Sequence, residues 1–146
     1  SQDIKLNNGI LIKTERIRTS FIENQYLVLS PNRENAGTAT LLMSFPHYIN
    51  RLSFSASMWG KTEGSFYESL CFDYGINGDM GVFARPLIIQ CTTLSTSKYA
   101  PDYFTIDFPT KVKSIRFFAC HSAPSGDRNK GRICLDNIEI NFKFSL

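Results

Sequence analysis

Apolar and polar residues alternate at every second position along most of the chain. In residues 51–59, for example, polar side chains separate Leu52, Phe54, Ala56 and Met58. The same period of two recurs over residues 39–45, 69–74, 103–108, 115–119 and 138–144. Residues 26–29 add a short apolar run, and residues 82–91 are interpreted as a further strand, interrupted at Pro86. This period is typical of β-strands with one buried face. The pattern predicts an all-β fold, an antiparallel two-sheet β-sandwich of about eight or nine strands.

Helix signals are weak by comparison. The best candidate, residues 14–27, mixes its apolar positions with Thr and Ser and lacks a clean cap. No internal repeat, low-complexity tract or linker divides the chain, so we expect residues 1–146 to form a single β-sandwich domain.

Irregularities in the alternation predict where strands break or bulge. The segment 39–45 stops at Pro46, which predicts a strand end there. Pro86 interrupts its own strand, and proline in a sheet is confined to edges and bulges. In the closing segment, the apolar residues Ile133 and Leu135 occupy odd positions, whereas the apolar residues from Ile138 onward occupy even positions. One inserted residue near Asp136 and Asn137 would make this switch, so we expect a β-bulge there.

Composition narrows the functional classes. The chain has 146 residues, a net charge of +3 and 20% charged residues, without the concentrated basic stripe of nucleic-acid-binding proteins. The densest basic segment, residues 127–132, is interpreted as a solvated loop. No apolar run approaches the roughly 18 residues of a membrane span. The chain starts with Ser1, and we expect it to be excised from or processed out of a longer protein.

Cysteine spacing leaves two interpretations open. The four cysteines are Cys71, Cys91, Cys120 and Cys134, with no Cys-x-x-Cys pair, and His47 and His121 are isolated. This spacing argues against a structural zinc site. One interpretation pairs Cys120 with Cys134 and Cys71 with Cys91, and the other leaves four buried thiols.

The closing segment carries a family resemblance. Residues 131–140 read Gly-Arg-Ile-Cys-Leu-Asp-Asn-Ile-Glu-Ile, which resembles the last strand of jelly-roll carbohydrate-binding modules and related galactose-binding-like domains. Residues 26–29, 49–54 and 112–117 are similar to other strands of those domains. The resemblance implies a jelly-roll sandwich that binds sugar, in a secreted or cell-surface protein.

The resemblance also implies a metal site. In many such modules the Asp of the closing strand helps to hold a structural calcium, which makes Asp136 a candidate ligand. Partners could come from Asn7, Asn8 or Glu15, because calcium takes about 6–8 oxygen ligands. Alternatively, Asp136 bonds backbone amides that the bulge leaves unpaired.

A candidate ligand surface lies on the strand at residues 51–59. With the four apolar residues facing the core, Arg51, Ser53, Ser55, Ser57 and Trp59 share the opposite face. Sugars are bound by an aromatic ring against their C–H face and by short polar groups at their hydroxyls. The alternative is an ordinary solvated sheet face.

Residues from other segments are candidates for the same surface. Asp73 and Arg116 each lie at non-core positions of their strands and are predicted to add polar contacts. Tyr67, Tyr99 and Tyr103 lie in or near loops and are candidates for a rim.

Catalytic signatures are absent from the sequence: it has no Gly-x-Ser-x-Gly, no His-Glu-x-x-His and no phosphate-binding glycine loop. We therefore expect a non-catalytic extracellular module with a glycan ligand. The alternative is a structural or protein–protein interaction domain of a larger secreted hydrolase, nuclease or surface protein, with a protein partner. Neither hypothesis involves nucleic acid, a membrane span or a cofactor other than calcium.

Overall fold

The computed structural model describes residues 2–5, 9–15, 17–20, 26–29, 39–58, 69–79, 81–90, 93–120 and 132–142. Within them the chain forms nine β-strands, which confirms the predicted all-β class. The strands are β1 (Gln2–Lys5), β2 (Leu11–Glu15), β3 (Ile17–Ser20), β4 (Tyr26–Leu29), β5 (Ala39–Met58), β6 (Ser69–Gly75), β7 (Phe83–Gln90), β8 (Asp102–Cys120) and β9 (Ile133–Phe142).

All the strands pair antiparallel in one curled sheet. The order is β3-β4-β9-β5-β8-β6-β7, and β2 joins β1 to β5. The two long strands, β5 and β8, pair along most of their length, from Ala39 opposite Ala119 to Ala56 opposite Asp102. Residues 39–44 of β5 and 114–120 of β8 belong to a first layer with β1, β2, β6 and β7. The later part of β5 and the earlier part of β8 belong to a second layer with β3, β4 and β9.

The bend between the layers corrects the predicted strand ends. Pro46 does not end its strand, and residues 103–108 and 115–119 are parts of one strand. The ladder between β5 and β8 shifts register between Ser44 and Ile49, so Pro46 lies where no ladder hydrogen bond is needed. Because proline has no N–H to donate, a bulged bend is a position that can accommodate it.

The core lies between the two layers. Leu52, Phe54, Ala56 and Met58 are all buried, as the alternation predicted. The Phe54 ring stacks on Phe104 of its own layer, with centroids 5.2 Å apart. It also meets the edge of Phe117, in the first layer, at 4.8 Å. Such aromatic pairs add about 0.5–1.5 kcal/mol beyond the area they bury, so this cluster holds the layers together.

Both predicted irregularities are present. β7 ends the sheet order, and its ladder with β6 shifts register around Arg85 and Pro86, which confirms the proline at a bulged edge. In β9 the register shifts so that Ser53 pairs with Glu139 but Ser55 pairs with Asp136. Asn137 lies in this bulge with a φ of 52°.

Cys71 and Cys134 are buried thiols. Cys120 lies opposite Ser69 on β6, whereas Cys134 lies opposite Ser57 on β5. The strands β8 and β9 are not neighbours, since β5 lies between them, so Cys120 and Cys134 do not lie opposite each other on adjacent strands, as the interpretation with two disulfides required. Cys91 lies outside the described residues.

A short 3₁₀ turn, Ile76–Gly78, links β6 to β7. Its backbone needs positive φ at Asn77 (53°) and Gly78 (82°), a region that Asn and Gly tolerate best.

No helix in the described parts of the chain is long and apolar enough to span a membrane.

An ion pair with a buried carboxylate lies on the outer face of the first layer. Arg116 donates from Nε and Nη2 to the two carboxylate oxygens of Asp73 at 2.9 and 2.7 Å. The Asp73 side chain is only 2% exposed, and Arg85 Nε lies farther away, at 3.9 Å. The guanidinium of Arg116 also lies over the rings of Phe83 and Phe118, at 4.4 and 5.1 Å. This arrangement favours a structural role for the pair.

We predict that Arg116→Ala lowers the free energy of unfolding by about 3–5 kcal/mol, because it leaves a buried carboxylate without its bidentate partner. Urea denaturation of the purified chain measures this change. Arg51→Ala is the matched control, since it breaks an ion pair whose side chains are 51% and 69% exposed, and its effect is expected to be much smaller. Equal losses for the two variants would contradict the structural role of Asp73 and Arg116.

Candidate functional site

A polar surface covers the outer face of the second layer, on the strands β8, β5 and β9. The ladders place Ser53 between Thr105 and Glu139, and Arg51 between Asp107 and Asn141. We call this surface the Tyr103 face and define it by the residues Arg51, Ser53, Tyr103, Thr105, Asp107, Asn137 and Glu139.

The most exposed aromatic ring of this face is Tyr103. Its side chain alternates with Phe104, which packs against the core, so the strand itself points Tyr103 outward. Tyr103 is 72% exposed. Beside it is a recess of about 300 Å³, lined by Ser53, Phe54, Tyr103, Phe104, Thr105, Asn137 and Glu139.

Hydroxyl and amide groups form the floor of the recess. The hydroxyls of Ser53 and Thr105 are hydrogen-bonded to each other at 3.1 Å. Asn137 Nδ2 donates to Ser55 Oγ at 3.1 Å, and Ser55 Oγ donates to the Asp136 carbonyl oxygen at 3.1 Å. The bulge therefore fixes the Asn137 amide at the edge of the recess.

Charges at the side of the recess are largely paired. Arg51 Nε donates to Asp107 Oδ1 at 2.6 Å. This hydrogen bond, together with the negative charge of Asp107, raises the pKa of Arg51, so the guanidinium stays protonated throughout the physiological range. The carboxylate of Glu139 is exposed on the neighbouring strand.

The structure separates the predicted row of serines. Arg51 and Ser53 lie on the Tyr103 face, but Ser55 and Ser57 are each only 1% exposed. Ser57 Oγ has no hydrogen-bond partner among the described residues. At this end of the layer Val28 and Cys134 are buried as well, so the outer face is covered there. The expected open floor of three serines is reduced to Ser53.

Asp73 and Arg116 do not join the serines, contrary to the expectation. They lie on the outer face of the first layer, whereas Ser53 lies on the outer face of the second. Because the inner faces of the layers meet at Phe54 and Phe117, the two outer faces point in opposite directions.

The remaining aromatic candidates are placed differently. Trp59 and Tyr67 lie outside the described residues, and the role of Trp59 in binding stays a prediction. Tyr99 is 59% exposed in the segment that precedes β8, with Lys98 Nζ 5.2 Å from its ring.

The calcium hypothesis stays a prediction. Asp136 lies at the bulge and is partly exposed. Asn7, Asn8 and the side chain of Glu15 lie outside the described residues. Among the residues that are described, no group of three or more His, Cys, Asp or Glu side chains is placed to hold a metal ion.

Sequence reasoning missed four residues of this face, Thr105, Asp107, Asn137 and Glu139. The signal for them was present. Thr105 and Asp107 share the parity of Tyr103, and Glu139 follows the predicted bulge on the polar parity of its strand. What the alternation did not give was which strands are neighbours.

Comparison with known proteins identifies the fold. No family model matches the chain, and no curated protein sequence matches it. Among solved structures, the F5/8 type C domain of a Bacteroides fragilis protein has a TM-score of 0.54 and 12% identity, with 97% of each chain covered. The xylan-binding module CBM15 has a TM-score of 0.55 and 9% identity, covering 97% of this chain and 95% of that one. The chain has the galactose-binding-like jelly-roll fold. This confirms the resemblance seen in the closing strand.

The same fold also occurs within larger chains. The secreted serine protease VesC from Vibrio cholerae matches with a TM-score of 0.58 and 14% identity over 91% of this chain. The matched region is only 24% of the VesC chain, so the present chain spans about a quarter of that protein's length.

We predict that Asn137→Ala lowers the free energy of unfolding by about 1–3 kcal/mol. The variant loses the hydrogen bond to Ser55 and places a Cβ-bearing residue without a local polar side chain at a φ of 52°. Asn137→Gly is the control, because it relieves the backbone strain and loses only the hydrogen bond. In thermal and urea unfolding, we expect the wild type to be the most stable, Asn137→Gly intermediate and Asn137→Ala the least stable. An Asn137→Ala variant as stable as the wild type would contradict this account of the bulge.

Proposed function

We propose that this chain is a non-catalytic extracellular module that binds a neutral glycan on the Tyr103 face. The observation that carries the proposal is the Tyr103 ring, 72% exposed beside a recess of about 300 Å³. An exposed ring offers its face to the C–H groups of a sugar. The hydroxyls of Ser53 and Thr105 and the amide of Asn137 are placed to bond the sugar hydroxyls.

The charges of the face favour a neutral ligand. Asp107 and Glu139 both carry carboxylates, and Arg51 is already paired with Asp107 at 2.6 Å. An acidic sugar would meet these carboxylates without a free cation from Arg51 to balance them. A neutral sugar avoids that repulsion and can use Glu139 as a hydrogen-bond acceptor.

The arrangement of the face supports binding rather than hydrolysis. A typical glycosidase needs two carboxyl groups across the scissile bond, one acting as an acid and the other as a base or nucleophile. The Asp107 carboxylate accepts a hydrogen bond from the Arg51 guanidinium through Oδ1. Glu139 is then the one carboxylate of the Tyr103 face available to a ligand, which suits a binding role.

A role within a larger secreted protein is compatible with this proposal. The resemblance to a region that makes up 24% of a secreted serine protease supports an accessory domain of a hydrolase. In such a protein the module would attach the enzyme to a glycan surface. The alternative, a domain that contacts a protein partner, predicts no glycan binding by the isolated chain.

A glycan array followed by calorimetry on the best neutral oligosaccharide tests the proposal. We expect Tyr103→Ala to weaken binding at least tenfold, which corresponds to about 1.4 kcal/mol at 25 °C. Tyr103→Phe keeps the ring face and is expected to retain most of the affinity. Tyr99→Ala is the matched control, because it removes another exposed tyrosine, from the segment before β8.

The outcomes separate the two functions. If Tyr103→Ala loses glycan affinity and Tyr99→Ala binds as the wild type does, the result supports the Tyr103 face as the binding site. Undiminished binding by Tyr103→Ala would remove this face from the site, and no binding to any neutral glycan would favour a protein-contacting domain.

A further inference from the structure

A second recess lies where β5 and β8 bend from one layer into the other. It measures about 610 Å³, and its walls include Tyr48, Asn50, Asn77, Phe108, Thr110 and Lys111. Like the Tyr103 face, this recess is built on β5 and β8, but its third wall is Asn77 of the 3₁₀ turn between β6 and β7 instead of β9.

Two lysines lie over the ring of Tyr48: Lys111, which lines the recess, and Lys113, two residues further along β8. Lys111 Nζ is 5.4 Å and Lys113 Nζ 4.9 Å from the ring centroid. The ring packs against the turn, since a Cβ built on Gly78 would lie 3.1 Å from Tyr48 Cε1. Cation–π attraction to this ring therefore holds each of the two positive charges near Tyr48.

This positive charge is not balanced by the described residues around it. Each of the three arginines Arg51, Arg85 and Arg116 has a carboxylate within 4 Å. In the described parts of the chain, neither Lys111 nor Lys113 forms such an ion pair. The walls of the recess contain no carboxylate. Positive charges that have no carboxylate within ion-pair distance attract an anion, most strongly at low ionic strength.

The adjoining turn carries a carboxylate, Asp79, which does not line the recess. Asp79 Oδ1 accepts a hydrogen bond from the Gly81 N–H at 2.8 Å. That contact closes the turn on itself and directs this oxygen to the turn's own backbone.

The other polar groups of the recess suit hydroxyls rather than a second charge. Thr110 Oγ1 is hydrogen-bonded to Asn77 Oδ1, which ties β8 to the turn and leaves the Asn77 amide nitrogen available as a donor. Asn50 is exposed at the end of the bend. The volume of about 610 Å³ is far larger than an inorganic oxyanion requires, so the recess fits an anion carried on a larger polar molecule.

We propose that this recess binds an acidic glycan through an oxyanion on the sugar, either the carboxylate of a uronic acid or a sulfate ester. Lys111 and Lys113 contact the oxyanion, and the amides of Asn50 and Asn77 bond the neighbouring sugar hydroxyls. The site is independent of the Tyr103 face, whose carboxylates favour a neutral ligand.

Calorimetry on the whole 146-residue chain at low ionic strength tests the proposal. The probes are a uronic acid oligosaccharide, a sulfated oligosaccharide, a neutral oligosaccharide of the same length and inorganic sulfate. We expect Lys111→Gln/Lys113→Gln to weaken binding of the acidic oligosaccharide at least tenfold. Lys111→Arg/Lys113→Arg keeps the charge and is expected to restore most of the affinity.

A charge-matched control separates this site from the net charge. Lys13→Gln/Lys98→Gln removes the same two charges elsewhere, and we expect it to change the affinity less than twofold. The acidic probe that binds more tightly identifies the oxyanion as carboxylate or sulfate. Equal losses for the two glutamine double variants, or no binding of either acidic probe, would overturn the proposal. Inorganic sulfate binding as tightly as the oligosaccharides would overturn its sugar component.

Tyr103→Ala distinguishes the two glycan proposals. We expect this variant to bind the acidic oligosaccharide as wild type does. Suppose instead that Tyr103→Ala no longer binds the acidic oligosaccharide and that Lys111→Gln/Lys113→Gln still binds it. The acidic ligand then binds at the Tyr103 face, and the proposal for the recess at the bend is wrong.

Discussion

The pairing of β5 with β8 in both layers, on either side of a bend, is the constraint on which the rest of the structure depends. Two strands that bend together must keep their apolar side chains inward on both sides of the bend. They do so by shifting register between Ser44 and Ile49, where Pro46 interrupts the ladder. The inner faces then meet at Phe54, which contacts Phe104 in its own layer and Phe117 in the other. Every outward-facing position is fixed by this arrangement.

Two chemically different surfaces follow from the bend. On the first layer the outer face buries Asp73 against Arg116, with aromatic rings on both sides of the guanidinium. On the second layer the outer face leaves Tyr103 and Thr105 exposed. The first surface therefore stabilises the fold, while the second is open to a ligand.

The bend itself creates a third environment. Its strands come close to the turn between β6 and β7, and Tyr48 packs on Gly78 there. On β8, just past the bend, the ammonium groups of Lys111 and Lys113 lie over that ring. A recess lined by Lys111, with Lys113 over the same Tyr48 ring, lies at the change of direction that brings the two layers together.

The alternation of side chains predicted most of the core and part of the site. Phe54 and Phe117 are buried as expected, and the bulge at Asn137 follows from the change of parity in its strand. Pro46 was misinterpreted as a strand end, because a local pattern cannot distinguish a stop from a bend that is paired on both sides.

The missed features depend on contacts between distant segments. The alternation predicted that the side chains of Ser55 and Ser57 point away from the core. It could not show that the outer face is covered at this end of the layer, where both serines are buried. Parity also grouped Asp73 with Ser53, although their strands belong to different layers. Neighbour relations among strands decide both points, and the period of one strand carries no information about them.

The central claim is that the outer face of the second layer is the glycan surface. Backbone amide shifts measured by NMR during titration with a neutral oligosaccharide test it most directly. The account predicts that the largest shifts occur at Ser53, Tyr103, Thr105 and Glu139. The largest shifts at Asp73, Arg85 and Arg116, on the opposite face, would contradict it.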